Sequence, residues 1–130
     1  MSEQVSPDKI SRAVRAYFLA IRAMDPEAIA NTFAEDGVTC DPMGAPPITG
    51  RAAVREFFAS VFKNFKSAAL TEDSVFVAGN GAGVKWTGTG TSASGKEVKF
   101  EGIDVFEINQ DGKIQNIWAY WNPAEMIAQL

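Results

Sequence analysis

Apolar positions recur early in the chain at steps of three and four. Ile10, Val14, Tyr17, Ile21 and Met24 fall on one stripe, the spacing of a helix that buries one face. Ser6-Pro7-Asp8 precedes them. It offers a capping hydroxyl, a proline suited to the first helical position and an acid in the first turn. The spacing predicts a first helix opening after Ser6 and ending near Met24. Asp25-Pro26-Glu27 repeats the start signal, so a short second helix is expected to about Phe33. Val38-Thr39-Cys40-Asp41 reads as a short strand. The run Pro42-Met43-Gly44-Ala45-Pro46-Pro47 forbids either regular element and reads as a loop. A third helix is expected from Ala52 to about Asn64, with Val54, Phe57, Phe58, Val61 and Phe62 on its apolar side.

The period then changes to two. Strands are expected near 67–78, 82–92, 97–108 and 113–121. Ser94-Gly95 and Asp111-Gly112 are hairpin signals. The tail Pro123–Leu130 reads as a last helical turn. Helices first and antiparallel strands later give an α+β fold, with the helices on one face of the sheet. Gly81, Gly83, Gly88, Gly90 and Gly102 lie in or beside strands, where glycine permits curvature or a bulge. A curved sheet covered by helices makes a cone with an apolar interior, a good small-molecule pocket.

The length of 130 residues fits one domain, 1–130, with room for a real core. Net charge is −4 and lysines and arginines do not cluster, which argues against a nucleic-acid partner. No apolar run approaches the roughly 18 residues of a spanning helix, so no membrane partner is expected. The segment MSEQVSPDK lacks the basic and apolar regions of a signal peptide. The lone cysteine, Cys40, excludes an internal disulfide and fits the cytoplasm; it reads as a small core residue.

The count of zero histidines removes more than any other figure. Ser-His-Asp and Cys-His nucleophiles are out, and so are His-ligated metals; one cysteine cannot build a thiolate zinc site. No acidic cluster shows ligand spacing, so no metal is expected. Proton transfer must use Asp, Glu, Tyr, Lys or Cys.

Four positions then stand out. Asp104 shares a strand face with Val98, Phe100, Phe106 and Ile108. A carboxyl pointing into such a face tends to stay protonated, and a neutral acid is a strong hydrogen-bond donor. The strand alone leaves a second orientation open, slightly favoured by frequency, in which Ile103 and Val105 face the core and Asp104 is solvated. Tyr17 lies on the buried stripe of the first helix. It is either a core tyrosine, the commoner case, or a second donor beside Asp104. Asp41 precedes Pro42, as turn-opening aspartates often do; the other reading is a general base at a pocket rim. Trp121 shares a face with Gln115, Ile117 and Ala119, while Trp118 and Tyr120 share the other. One face then lines a cavity and the other meets a subunit, or both are core. Arg51, Arg55 and Glu56 read as a solvated helical face.

Together these positions resemble the Δ5-3-ketosteroid isomerases of the nuclear-transport-factor-like, SnoaL-like superfamily. The likeness spans nearly the whole chain and is densest in DPMGAPPITGR at 41–51 and IDVFEINQDGKIQNIWAYW at 103–121. RAYFLAI in the first helix and DPEAIANTFAEDG in the second also match. The resemblance implies a conical, barrel-like α+β fold: three N-terminal helices packed on a curved mixed, mostly antiparallel sheet. It also implies a homodimer through the outer sheet face. By the same likeness the general base falls on Asp41, the oxyanion tyrosine on Tyr17, the protonated acid on Asp104 and a pocket tryptophan on Trp121. Ketosteroid isomerases are the known case of a carboxylic acid kept neutral to donate to an oxyanion. No cofactor is implied, and the ligand is a small hydrophobic ketone, steroid-like in shape. Some members buttress the tyrosine with further tyrosines; Phe33 and Phe58 stand at those positions here and cannot donate. The implied lining is Phe33, Phe58, Phe100, Phe106 and Trp121.

Two other functions compete. One is another small-molecule enzyme on this scaffold, of cyclase or dehydratase type, since a fold does not select a chemistry. Relatives of cyclase type often use a histidine, and this chain has none. The other is a non-catalytic binding or dimerisation module, against which the complete set Tyr17, Asp41 and Asp104 argues.

Overall fold

Helix α1, Pro7–Arg22, forms where the periodicity and cap predict, and it buries Ile10, Val14, Tyr17, Phe18 and Ile21. The Ser6 hydroxyl accepts from the Lys9 N–H at 3.2 Å. The helix stops two residues before the expected Met24. There the chain turns left-handed, with Met24 at φ 51°. Met24 N–H donates to the Ile21 carbonyl and Asp25 N–H to the Ala20 carbonyl, the paired bonds that close a Schellman motif. Asp25 at once caps α2, Pro26–Asn31, by accepting from the Ala28 N–H. This second helix ends before Phe33, because Phe33 already pairs with Ile114 in the sheet. The structure, a computed structural model, describes residues 4–130.

Strand β1 therefore runs Phe33–Cys40, longer than expected at its start. The proline-rich loop follows, then a two-residue strand β2, Ile48–Thr49, absent from the sequence reading. Helix α3 is Arg51–Phe62. The strands β3 Phe65–Ala78, β4 Gly81–Ser92, β5 Glu97–Ile108 and β6 Ile114–Tyr120 come next, and α4, Pro123–Ile127, ends the fold. Among the described residues the strands make one six-stranded sheet in the order β2-β1-β6-β5-β4-β3. Only β1 and β6 pair in parallel. The sheet is mixed and mostly antiparallel as expected, but it stays open rather than closing into a barrel.

The helices cover one face of this sheet. Ile10, Val14, Phe18 and Ile21 of α1 join Val54 and Phe58 of α3, Val84 of β4 and Phe106 and Ile108 of β5 in a single apolar core. Burying these side chains supplies most of the fold's free energy. Cys40 is a correction: it is half-buried, paired with Trp118 on the outer face. Arg51 is not simply solvated either; its Nε donates to the Phe33 carbonyl at 2.8 Å. Arg55 meets Glu27 across solvent at 3.3 Å.

Candidate active site

A cavity of about 200 Å3 opens between α1, α3, the sheet and α4. Its lining grades from buried residues at the floor, Tyr17, Phe58, Trp86 and Asp104, to exposed Asn64 at the mouth. Met126 of α4 also lines it. That helix is held in place because the Gln129 amide accepts from the Lys99 N–H at 2.8 Å and donates to the Lys99 carbonyl at 2.7 Å. A wider groove of about 590 Å3 near Arg22 and Lys99 is lined by exposed and half-exposed residues apart from Val98, and it holds no buried acid.

Asp104 is 2% exposed, so the inward orientation of its strand is the one realised. The reason is the ladder. Its neighbours across β4 and β6 are Val84 and Ala119, both buried on the same face. Ile103 and Val105 point to the other face and stay partly exposed. Burial raises the Asp104 pKa, the negative charge of Asp41 raises it further, and Trp86 lowers it; the result is about 8. At neutral pH this acid is mostly protonated.

Tyr17 lies in the second half of α1 and is 2% exposed. Its ring is wedged edge-on between four phenylalanines, Phe18, Phe33, Phe58 and Phe106, at centroid distances of 5.4, 6.1, 6.3 and 5.5 Å. Such edge contacts fix a ring without hydrogen bonds. Burial, with Asp104 and Asp41 nearby, pushes the phenol well above its usual pKa, so it is a donor throughout the physiological range.

Asp41 ends β1. The Asp41–Pro42 peptide is cis, and Met43 N–H donates to the Ala119 carbonyl at 2.8 Å. That bond ties the loop to the end of β6 and brings Asp41 beside Trp121. Trp121 Nε1–H donates to Asp41 Oδ1 at 2.7 Å. Burial raises the Asp41 pKa and this hydrogen bond lowers it, with a net rise. Burial thus raises the pKa of both aspartates; Asp41 is held by the Trp121 indole, and Asp104 is raised further by the negative charge of Asp41.

The structure brings Tyr17, Asp41, Asp104, Phe58, Phe100 and Trp121 to one cavity. Phe33 and Phe106 are not on its wall; they pack behind the Tyr17 ring. Sequence reading missed Trp86, which lies at the floor and stacks edge-on with Trp121 and Phe100 at 6.2 and 5.8 Å. The signal was present. The turn at Ser94-Gly95 fixes the hairpin register, and that register sets Trp86 opposite Gly102, two residues from Asp104 on the same face.

Residues 14–117 match the SnoaL-like domain family. A steroid delta-isomerase from Nocardioides simplex is 34% identical over 119 residues, 92% of this chain and 94% of that protein. The solved structure of the epoxide hydrolase/cyclase-like enzyme SalBIII, described for pyran ring formation in the polyether salinomycin, superposes with a TM-score of 0.80 at 26% identity, over 91% of this chain and 94% of its own. A hypothetical protein of ketosteroid isomerase-like fold from Catenulispora acidiphila, in complex with trimethylamine, superposes with a TM-score of 0.81 at 18% identity over 90% of each chain, a likeness of fold alone.

Proposed function

The chain belongs to the SnoaL-like domain family, and from that premise we propose that it is a cofactor-independent isomerase of the steroid delta-isomerase type. Identity of 34% to such an enzyme supports an isomerase-like function. The observation that carries the finer reading is the convergence of Asp41, Asp104 and the Tyr17 phenol in one largely apolar cavity, with Asp41 held by the Trp121 indole and Asp104 mostly protonated at neutral pH.

Asp41, as the ionised base, takes a proton from the carbon between a ketone and its β,γ double bond. The electron pair passes into a dienolate. Its oxygen accepts hydrogen bonds from the Tyr17 hydroxyl and the protonated Asp104. Asp41 then returns the same proton two carbons along, and the alkene becomes conjugated with the ketone. The Trp121 bond steadies the base at one oxygen and leaves the other for the substrate carbon. Each preorganised donor of this kind is worth roughly 2.7–4 kcal/mol of barrier in comparable oxyanion holes. The apolar lining by Phe58, Phe100 and Trp121 suits a neutral, rigid polycyclic ketone. The 200 Å3 cavity takes the reacting rings, with the remainder projecting through the mouth. The outer sheet face pairs two copies as a homodimer, and the protein acts in the cytoplasm.

The test is enone absorbance on mixing pure protein with a β,γ-unsaturated ketosteroid between pH 5 and 9. Turnover is expected, and Asp41→Asn is expected to lower kcat by at least about 100-fold. Absence of turnover at every pH rules the proposal out, and an Asp41→Asn rate equal to the parent's removes Asp41 as base. A cyclase-type reading is favoured by one observation, the likeness to SalBIII. A non-steroidal hydroxy-epoxide that binds far more tightly than any steroid would select it.

A further inference from the structure

Trp86 is 2% exposed and lines the cavity floor. Its indole Nε1–H is buried without a hydrogen-bond partner among the described residues, an uncommon and costly state for a donor. The β4–β5 ladder pairs Val84 with Asp104 and Trp86 with Gly102. Trp86 and Asp104 are therefore diagonal neighbours on the cavity face, within reach of a side chain as long as an indole. Gly102 is what lets the ring lie across β5: a Cβ there would come within 2.6 Å of Trp86 Cζ2. Cζ2 and Nε1 are bonded to the same ring carbon, so the edge that overlies β5 is the N–H edge. The acid it acts on there is Asp104, whose ionised form it favours.

A protonated carboxyl has two unlike oxygens, one a donor through its proton and one an acceptor. It can serve a ligand oxygen only if the proton sits on the oxygen that faces the ligand. An indole N–H donates and cannot accept, so it can pair only with the proton-free oxygen. We propose that Trp86 is a positioning residue: its N–H takes an oxygen of Asp104 both when that acid ionises and when a ligand oxygen binds, and in the neutral acid this leaves the O–H turned into the cavity. Accepting that bond also polarises the acid and makes it a better donor. The other groups facing this acid are Tyr17 from α1 and Asp41 at the end of β1; Asp41 alone carries charge, and it is negative. The proposal rests on the reading of Asp104 as a donor to a substrate oxygen.

Two variants test it. Trp86→Phe removes the N–H with some loss of volume. Incorporation of 3-benzothienylalanine at position 86 replaces the N–H by sulfur and keeps the ring shape. The first readout is the pH titration of the Asp104 carboxyl carbon by NMR. The second is kcat and KM for a β,γ-unsaturated ketosteroid across pH. In both variants the Asp104 midpoint is expected to rise from about 8, because a donor to the ionised form is gone. The alkaline limb of the rate should move up with it. At neutral pH kcat should fall about tenfold, the size of one neutral hydrogen bond, with KM changed less than about twofold. An Asp104 midpoint unmoved in the benzothienylalanine protein overturns the proposal, whatever the rate does. If the parent turns over no steroid, the isomerase reading fails by itself, and the titration still decides whether Trp86 holds Asp104.

Discussion

Asp104 costs the fold stability at neutral pH. In the unfolded chain an aspartate ionises near pH 3.9, whereas the folded environment raises this one to about 8. Between those values the folded state holds a proton that the unfolded state has lost. Stability contributed by the neutral acid is therefore whole below about pH 4 and falls as pH rises through the window towards 8. Asp104→Asn removes that dependence. The stability of Asp104→Asn relative to the parent should grow by on the order of 4 kcal/mol between pH 4 and pH 7, measured by urea unfolding at each pH, while isomerisation falls. A difference that stays flat across that range would mean that the carboxyl is not desolvated as described. This acid was half legible in the sequence. Alternation put it among Val98, Phe106 and Ile108, yet either face of an isolated strand can be the buried one. The choice came from Val84 and Ala119, which belong to other strands. Trp121 as partner of Asp41 is likewise a contact across 80 residues of chain, set by where β1 and β6 end.

The cavity wall depends on glycines in the strands. At Gly102 a methyl would meet Trp86 Cζ2 at 2.6 Å, Trp121 Cβ at 2.7 Å and the Tyr120 carbonyl oxygen at 2.7 Å. At Gly88 it would meet the Phe100 ring at 2.5 Å. Both vacancies are filled by the aromatic cluster of Trp86, Phe100 and Trp121. Gly102→Ala should destabilise the protein by about 1–3 kcal/mol, the cost of overpacking a tight site, and red-shift tryptophan fluorescence as the indoles are displaced. A variant with parent stability and an unchanged spectrum would show that the strand has slack here. Sequence reading assigned these glycines to curvature and missed the packing, because close approach is a property of two strands at once. Helix starts were more legible than helix ends. Ser6-Pro7 and Asp25-Pro26 act within one turn, so their signals are local and they hold. The second helix is expected to run to about Phe33, but Ile114, far along the chain, draws that residue into β1. Strand β2 is only Ile48–Thr49, and two residues carry no period to detect.

On the scale of the whole molecule, the sheet face away from the helices is left apolar. Register aligns Phe76, Gly83, Val105, Trp118 and Cys40 in one row across β3, β4, β5, β6 and β1. Ile103 and Tyr120 pair in the adjacent row. Phe76 is 74% exposed and Tyr120 51%. Lys85, Asp73 and Glu101 form an ion-paired edge to this surface. An apolar centre with a charged rim is the build of a protein interface, and an open sheet face that can meet its own copy favours a two-fold pair. The same β5 strand would then serve both functions, with Asp104 inward at the cavity and Ile103 and Val105 outward at the partner. The protein should sediment as a dimer at micromolar concentration, and Val105→Lys should shift it to monomer by setting like charges face to face across the axis. If the parent is a monomer at about 100 μM, well above the dissociation constant of a standard-sized interface, the outer face has another role. A Val105→Lys monomer that keeps the Asp104 titration would show that the cavity is built within one chain. One that loses it would show that the inward face of β5 needs the partner's packing on its outward face to hold its shape.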